Sequence, residues 1–169
     1  MSASSCEPLP PKLARDLATV SLSLVARAFD VGARAVKGES SGIAHGADRW
    51  RELARRSGDP EARDLALYQA WVRRPLGSGR VTYTCGMHLL GERDVEVLEE
   101  EPTNEGEALA WLDAFALYLL TEAGPNALQP GHTFRPWPDA VRRRLSVEPC
   151  TRYDADDFFH NPHGYWRLA

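Results

Sequence analysis

The most regular pattern of hydrophobic and polar positions begins at Val81–Glu101 and continues into Asn104–Ala123. Alternation in the first segment predicts two strands separated by a glycine turn, the second of which is Asp94–Leu98. In that strand the valines should point inward, while Asp94 and Glu96 should point outward. The second segment is apolar around more than half of a helix circumference, so it predicts a largely buried helix. We expect most of the core to form where the two segments meet.

The predicted helix has a recognisable start and an expected packed face. The side-chain oxygen of Asn104 can accept a hydrogen bond from a helix N–H, and Glu107 can close a capping box. Three side chains within the helix, Leu112, Phe115 and Leu119, are expected to be nearly fully buried against strands at Leu65–Val72 and Val81–Cys85. The helix should therefore carry much of the stability of the domain.

The N-terminal region is expected to contain a disordered tail and then a helix. Met1–Pro11 is polar and rich in proline, so we expect it to be disordered and to precede a single domain over residues 12–169. Lys12–Ala28 fits a helix, because an apolar stripe extends over several turns, and such a stripe normally faces the core. A strand is the alternative, because apolar and hydroxyl residues alternate within the segment. The stripe comprises Leu13, Leu17, Val20, Leu24 and Ala28.

The remaining pattern predicts short strands and helices. Leu65–Arg73 has apolar residues on both faces of an extended chain, which indicates an inner strand. Arg80–Cys85 follows across a glycine-rich turn and should pair with it as a hairpin. Together the elements predict an α+β domain in which a mixed or antiparallel sheet packs on the Asn104–Ala123 helix. The others are strands at Gly32–Lys37, His132–Phe134, Cys150–Tyr153 and Tyr165–Leu168, and helices at Ala44–Arg56, with Trp50 and Leu53 inward, and Pro136–Arg144.

Composition restricts the class of protein. A chain of 169 residues, 43% of them hydrophobic, is ordinary for one globular domain. The net charge of −4 disfavours general nucleic-acid binding. The sequence has no signal-peptide pattern and no apolar stretch near the ~18 residues of a membrane span. Cys6, Cys85 and Cys150 form no CxxC pair, so we expect reduced thiols and a cytoplasmic location.

The C-terminal region contains a cluster of possible metal ligands. His160 and His163 lie near Asp154, Asp156 and Asp157, and imidazole and carboxylate groups suit zinc or iron. The histidines flank an Asn-Pro pair, which is typical of a polar turn. We favour the turn and expect neither a metal nor another cofactor.

A cysteine and a histidine beside the glycine turn could form a nucleophile and its base. Cys85 and His88 have suitable side chains, but the sequence shows no group that orients the base and no oxyanion site. Cys85 alternates with Thr84, so we interpret it as a small buried residue. Ser40–Gly42 before His45 lacks a phosphate-loop motif and is interpreted as a helix cap.

Acidic residues are concentrated on the second strand and at the start of the following helix. Such a run is often only a solvated face. Residues held on a strand and a helix start are rigid, however, and a rigid acidic patch attracts a basic partner. We therefore predict a partner-binding surface formed by Asp94, Glu96, Glu99, Glu100, Glu101 and Glu105.

The segment Leu67–Val97 contains a more specific pattern. An apolar strand ends in Trp-Val, a Thr-x-Gly-Met turn follows, and then Gly-x-x-Asp-x-Glu. This series resembles a bacterial family of uncharacterised domains, domain of unknown function 4261. Weaker similarity extends the resemblance to about Ala35–Phe134. The matching residues are Trp71, Val72, Thr84, Gly86, Met87, Gly91, Asp94 and Glu96.

The resemblance implies a fold class, a bacterial origin and an association with small accessory proteins. It implies no activity and no catalytic residue. Two departures weaken it. Larger members of the family have a further N-terminal half, and the strand expected near Val36 is reduced here to Ala-Val-Lys-Gly.

These observations lead to one main hypothesis and two alternatives. We expect a non-catalytic protein-binding module, a bacterial immunity or accessory protein that neutralises or caps a basic toxin or effector through the acidic patch. The first alternative is a small hydrolase or metal-dependent enzyme that uses Cys85 and His88, or the loop containing His160 and His163. The second is a structural subunit of a larger complex.

Overall fold

The computed structural model describes residues 8–78, 80–98, 105–124 and 127–169. Within these ranges the chain has the predicted α+β class. Short 3-10 helices lie at Phe29–Val31 and Met87–Leu90. The helices are α1 (Pro11–Ala28), α2 (Ala47–Ser57), α3 (Arg63–Trp71) and α4 (Glu105–Thr121). The strands are β1 (Ala35–Lys37), β2 (Ala44–Gly46), β3 (Arg73–Ser78), β4 (Val81–Cys85), β5 (Asp94–Leu98), β6 (Thr133–Phe134), β7 (Arg143–Glu148) and β8 (Tyr165–Leu168).

The main sheet is mixed. Its strand order is β3-β4-β5-β8-β7-β6, and a separate pair is formed by β1 and β2. The central strand β5 runs antiparallel to β4 and parallel to β8, with Asp94 opposite Tyr165. Every other described pairing is antiparallel. Because β5 has a strand on each side, its backbone is fully enclosed by the sheet.

The helix α4 packs on this sheet. Leu112 and Phe115 have no exposed surface and Leu119 is 4% exposed, as predicted. The ring of Phe115 meets that of Phe134 edge-on at 4.7 Å between centroids and that of Trp166 at 6.4 Å. The predicted cap residue, Asn104, lies outside the described residues. The burial of these three side chains of α4 is confirmed, but the core also contains residues of α1, α2 and α3, and the expected partner segment Leu65–Val72 is largely helical rather than a strand.

The predicted strand at Leu65–Arg73 is wrong, because this segment forms the helix α3. The strand begins only at Arg73, and β3 then pairs with β4. A helix packed on several sides has apolar residues all around it, so its sequence resembles that of an inner strand. The residues of α3 that are buried are Ala66, Leu67, Tyr68 and Ala70.

Near the C-terminus, two predicted elements are wrong. Residues 136–140 form turns and bends rather than a helix, and β7 begins at Arg143. Cys150–Tyr153 is not a strand. Pro138 disfavours the helical conformation for the residue before it, Trp137, which would lie in the first turn of the expected helix. The strands at β6 and β8 agree with expectation, as does the burial of Trp50 and Leu53 in α2. The helix expected from Ala44 begins only at Ala47, because Ala44–Gly46 forms β2.

The segment at α1 is helical, as favoured, but its apolar stripe does not face the core. The buried residues are Ala14, Ala18 and Leu22. The first turn of α1 lies so close to the chain at Gly91 that a Cβ there would be 2.4 Å from the Cα of Pro11. Trp50 Nε1 donates a hydrogen bond to the carbonyl oxygen of Leu22 at 3.0 Å. Close packing therefore selects the face with small side chains.

Candidate protein-binding surface

The acidic residues of β5 do not form the predicted surface. Asp94 has no exposed area and Glu96 is 1% exposed, so the expected outward orientation is wrong. The cause is the position of β5 at the centre of the sheet. The helix α4 packs against the strand. The carboxylates bond to residues of the loop between β7 and β8, residues 149–164, which we call the C-terminal loop. Neither side chain can contact a partner from this position.

Asp94 instead holds three parts of the chain together. One carboxylate oxygen accepts hydrogen bonds from the hydroxyl of Thr84 at 2.9 Å and the backbone N–H of Met87 at 3.2 Å. The other accepts one from Asn161 Nδ2 at 2.7 Å. Burial raises the pKa of Asp94 to about 6, although these hydrogen bonds lower it. The group is therefore a structural link between β4, the glycine turn and the C-terminal loop.

Glu96 is neutralised inside the protein. Its two carboxylate oxygens form ion pairs with Arg152 and Arg167. The guanidinium of Arg152 also lies over the rings of Tyr83 at 4.4 Å and Tyr165 at 5.3 Å. A buried carboxylate needs such partners, because leaving it unpaired would cost several kcal/mol. Glu96 thus adds no negative charge to the surface.

The other predicted contact residues are largely outside the described part of the chain. Glu99, Glu100 and Glu101 are among the residues that the structure does not describe, and only the backbone of Glu105 is described, at the start of α4. Glu107 is exposed. A binding role for these residues stays a prediction.

Of the two groups of the hydrolase alternative, Cys85 is buried and His88 is half-buried, and both are uncharged at neutral pH. Cys85 is 1% exposed, and burial raises the pKa of its thiol to about 12. Burial lowers the pKa of His88 to about 4, so its imidazole is neutral at pH 7. A thiolate is the nucleophilic form of cysteine. At neutral pH Cys85 is therefore a packed thiol.

The histidines of the C-terminal loop take part in its turns. His160 Nδ1 lies 3.1 Å from the carbonyl oxygen of Tyr153. The backbone N–H of His163 donates to Asn161 Oδ1 at 2.9 Å, while the amide of Asn161 donates to Asp94. Within residues 8–78, 80–98, 105–124 and 127–169, no group of three His, Cys, Asp or Glu side chains is arranged to hold a metal ion.

The outer face of α1 carries the most extended exposed apolar surface on any described helix. Leu13 is 47% exposed, Leu17 48%, Val20 62% and Leu24 66%. We call these four residues the α1 stripe. They follow one another at intervals of four, three and four residues, which places them along one side of a helix. The stripe contains no polar or charged residue.

An apolar groove adjoins the α1 stripe. Its volume is about 500 Å³, and Leu17 belongs to both the stripe and the groove. Trp71 Nε1 and His88 Nδ1 are buried and make no hydrogen bond to another described residue. The groove extends the apolar surface of α1 toward the 3-10 helix at Met87–Leu90. It is lined by Pro8, Leu9, Ala14, Leu17, Ala18, Ser21, Trp71, His88, Leu89, Pro162 and His163.

A larger groove, of about 940 Å³, is lined by charged side chains of both signs, several of which are paired with one another. It lies between α1, α3 and the end of α4. Arg63 pairs with Asp16 at 2.6 Å, and Arg15 pairs with Glu92 at 2.9 Å. Arg15 also donates a hydrogen bond to the carbonyl oxygen of Leu120 at 2.8 Å. These contacts fix α1 to the domain.

The sequence pattern predicted the helix that carries the α1 stripe, but it did not show that the stripe faces outward. Its spacing predicted a helix, and the usual inference that the apolar side is the buried side failed. A signal was present in Ala14 and Ala18, which lie on a neighbouring side of the same helix and permit closer packing than leucine does. Periodicity alone cannot distinguish two apolar sides of one helix.

Comparisons of the chain with protein families, with characterised proteins and with solved structures found no match. The resemblance to the uncharacterised bacterial family stays a prediction. In the described residues, no helix is long and apolar enough to cross a membrane.

Proposed function

We propose that this chain is a non-catalytic protein-binding module and that the α1 stripe is its contact surface. The observation that supports the proposal is a row of four aliphatic side chains, 47–66% exposed, on one rigid helix. Scattered exposed apolar residues are common in proteins, whereas a continuous row beside an apolar groove is typical of an interaction surface.

The position of α1 favours binding by a preformed surface. The helix is held from its inner side by Trp50, which bonds to Leu22, and by Arg15, which bonds to the end of α4. Arg63 fixes it to α3 through Asp16. A surface that is already ordered loses little conformational entropy on binding. The outward side chains can therefore contribute most of their hydrophobic energy to the complex.

The groups considered for catalysis support the same proposal. Cys85 is a buried thiol with a raised pKa, and the imidazole of His88 is neutral at pH 7. Asp94 and Glu96 serve internal contacts. The narrower hypothesis, that the partner is a basic toxin or effector, stays a prediction that rests on Glu99–Glu101.

The test compares Val20→Glu with the matched control Val141→Glu in a tagged chain expressed in its native host. Both valines are exposed, at 62% and 80%, but Val141 lies in the loop before β7. A protein that co-purifies with the wild-type chain should then be purified and titrated calorimetrically. We expect Val20→Glu to weaken its binding at least tenfold and Val141→Glu to leave it unchanged. Equal affinity for all three chains would contradict the proposed surface.

A further inference from the structure

We propose that the partner of the α1 stripe is a second copy of this chain, bound through an antiparallel pair of α1 helices. This inference rests on the proposed function, because it uses the same surface. It adds the identity of the partner, the direction of its helix and the residues that face each other.

The first argument is the symmetry of the spacing. The intervals of four, three and four residues read the same in both directions along α1. A two-fold dimer requires a self-complementary surface, because the same patch is used by both subunits. In an antiparallel pair, Leu13 faces Leu24 of the second copy and Leu17 faces its Val20. Every apolar residue of the stripe therefore meets another, at the spacing of knobs-into-holes packing.

The second argument is charge. The stripe itself has no charge, and the acidic residue at its border, Asp16, is paired with Arg63 at 2.6 Å. A parallel pair would place Lys12 beside Lys12 of the second copy and Arg27 beside its equivalent, with both helix dipoles aligned. An antiparallel pair separates the two copies of Lys12 by about 20 Å along the axis. The antiparallel direction is therefore favoured.

The third argument is size. α1 has 18 residues, which corresponds to a length of about 27 Å. A pair of helices of this length, with the groove beside them, buries on the order of 1,000 Å² in total, near the lower limit for a specific interface. We therefore expect a dissociation constant in the micromolar range rather than a permanent dimer.

Disulfide cross-linking tests the facing residues. In a Cys6→Ser, Cys150→Ser background, we would prepare Leu13→Cys and Leu24→Cys separately and oxidise each chain alone and the two mixed. A disulfide needs Cβ atoms about 4 Å apart. The antiparallel pair brings position 13 close to position 24, while like positions are about 16 Å apart along the axis. We expect covalent dimers only in the mixture. Dimers formed by each chain alone at the same rate, or by none, would overturn the antiparallel pair.

Sedimentation equilibrium separates a failure of this inference from a failure of the proposed function. Wild-type and Val141→Glu chains should show a monomer–dimer equilibrium at micromolar concentration, and Val20→Glu should stay monomeric. A wild-type chain that is monomeric at millimolar concentration would refute the second copy as the partner. The proposed surface would still stand if another purified protein lost affinity for Val20→Glu, and both proposals would fail if it did not.

Discussion

At the scale of single side chains, burial gives the acidic residues of β5 a structural role in place of the expected binding role. Asp94 and Glu96 were expected to act outward and are instead enclosed by hydrogen bonds and ion pairs. Each joins segments distant in sequence, because Asn161 and Arg152 reach them from the C-terminal loop. A carboxylate at a central strand is more costly than an exposed one and persists only where such partners are present.

The pKa of Asp94 leads to a testable pH dependence. Burial raises this pKa to about 6 from an ordinary value of 3.8, so the folded state binds the proton more tightly than the unfolded state. The contribution of Asp94 to stability is therefore complete below about pH 4 and is lost as the pH rises through 6. The free energy of unfolding should fall by roughly 2 kcal/mol from this group between pH 4 and pH 7.

Urea unfolding of wild type and Asp94→Asn at pH 4, 5, 6 and 7 measures this contribution. Other titrating groups are common to both chains, so the difference between the two curves isolates Asp94. We expect the difference to vary with pH and to change most between pH 4 and pH 6. A constant difference across the range would show that Asp94 titrates alike in the folded and unfolded states.

At the scale of the element, α1 has two apolar sides with different roles. Leu22 lies on the inner side with no exposed area, whereas Leu24 is 66% exposed. The two leucines are two positions apart on one helix, so they form a matched pair. Truncation of a buried leucine removes hydrophobic contacts and leaves a cavity, while truncation of an exposed one does neither.

We expect Leu22→Ala to lower the free energy of unfolding by ~2–5 kcal/mol and Leu24→Ala to change it by less than ~0.5 kcal/mol. Denaturant unfolding at low protein concentration, where association is negligible, gives both values. Equal losses in the two variants would mean that the outer side of α1 contributes to the fold of a single chain, which would contradict its assignment as a free binding surface.

The elements also show what sequence patterns can predict. The strands β5 and β8 and the burial of Leu112, Phe115 and Leu119 in α4 were predicted, because alternation and helical spacing are local patterns. The burial of both faces of β5 was not predicted. The helix α3 was mistaken for a strand, because Ala66, Leu67, Tyr68 and Ala70 are all buried and Gln69 is the one polar residue between Leu65 and Trp71, which is too few to reveal the period. Tertiary packing, which the sequence does not display, explains why α3 is a helix and which side of α1 is buried.

At the scale of the whole molecule, the acidic side chains of β5 are buried and bonded inside the protein, whereas the aliphatic side chains of the α1 stripe are exposed. The sequence predicted the class of protein proposed here but placed its contact surface on the acidic run. That placement failed for Asp94 and Glu96, because the C-terminal loop covers β5 from a distance of more than 50 residues in sequence. No local pattern indicates such a cover. Glu99–Glu101 lie outside the described residues, so their predicted role in binding a partner is tested separately, by reversing their charge.

Charge reversal tests that remaining part of the acidic surface. If a basic partner binds there, Glu99→Lys with Glu100→Lys should slow association and make it less sensitive to salt, because long-range attraction is screened within about 10 Å at 0.1 M salt. The control is Glu61→Lys with Asp156→Lys, which changes the same charge at exposed positions elsewhere. Equal association rates for both double variants would remove the acidic run as a binding surface.

The most direct test of the α1 stripe is methyl NMR of the leucine and valine residues of the wild-type chain. Spectra would be recorded over a dilution series and after addition of any purified partner. We predict that methyl signals of Leu13, Leu17, Val20 and Leu24 shift together on association, while those of Val141, which is 80% exposed but off the helix, stay in place. Shifts confined to methyl groups outside α1, with the stripe unchanged in the bound state, would contradict the central claim.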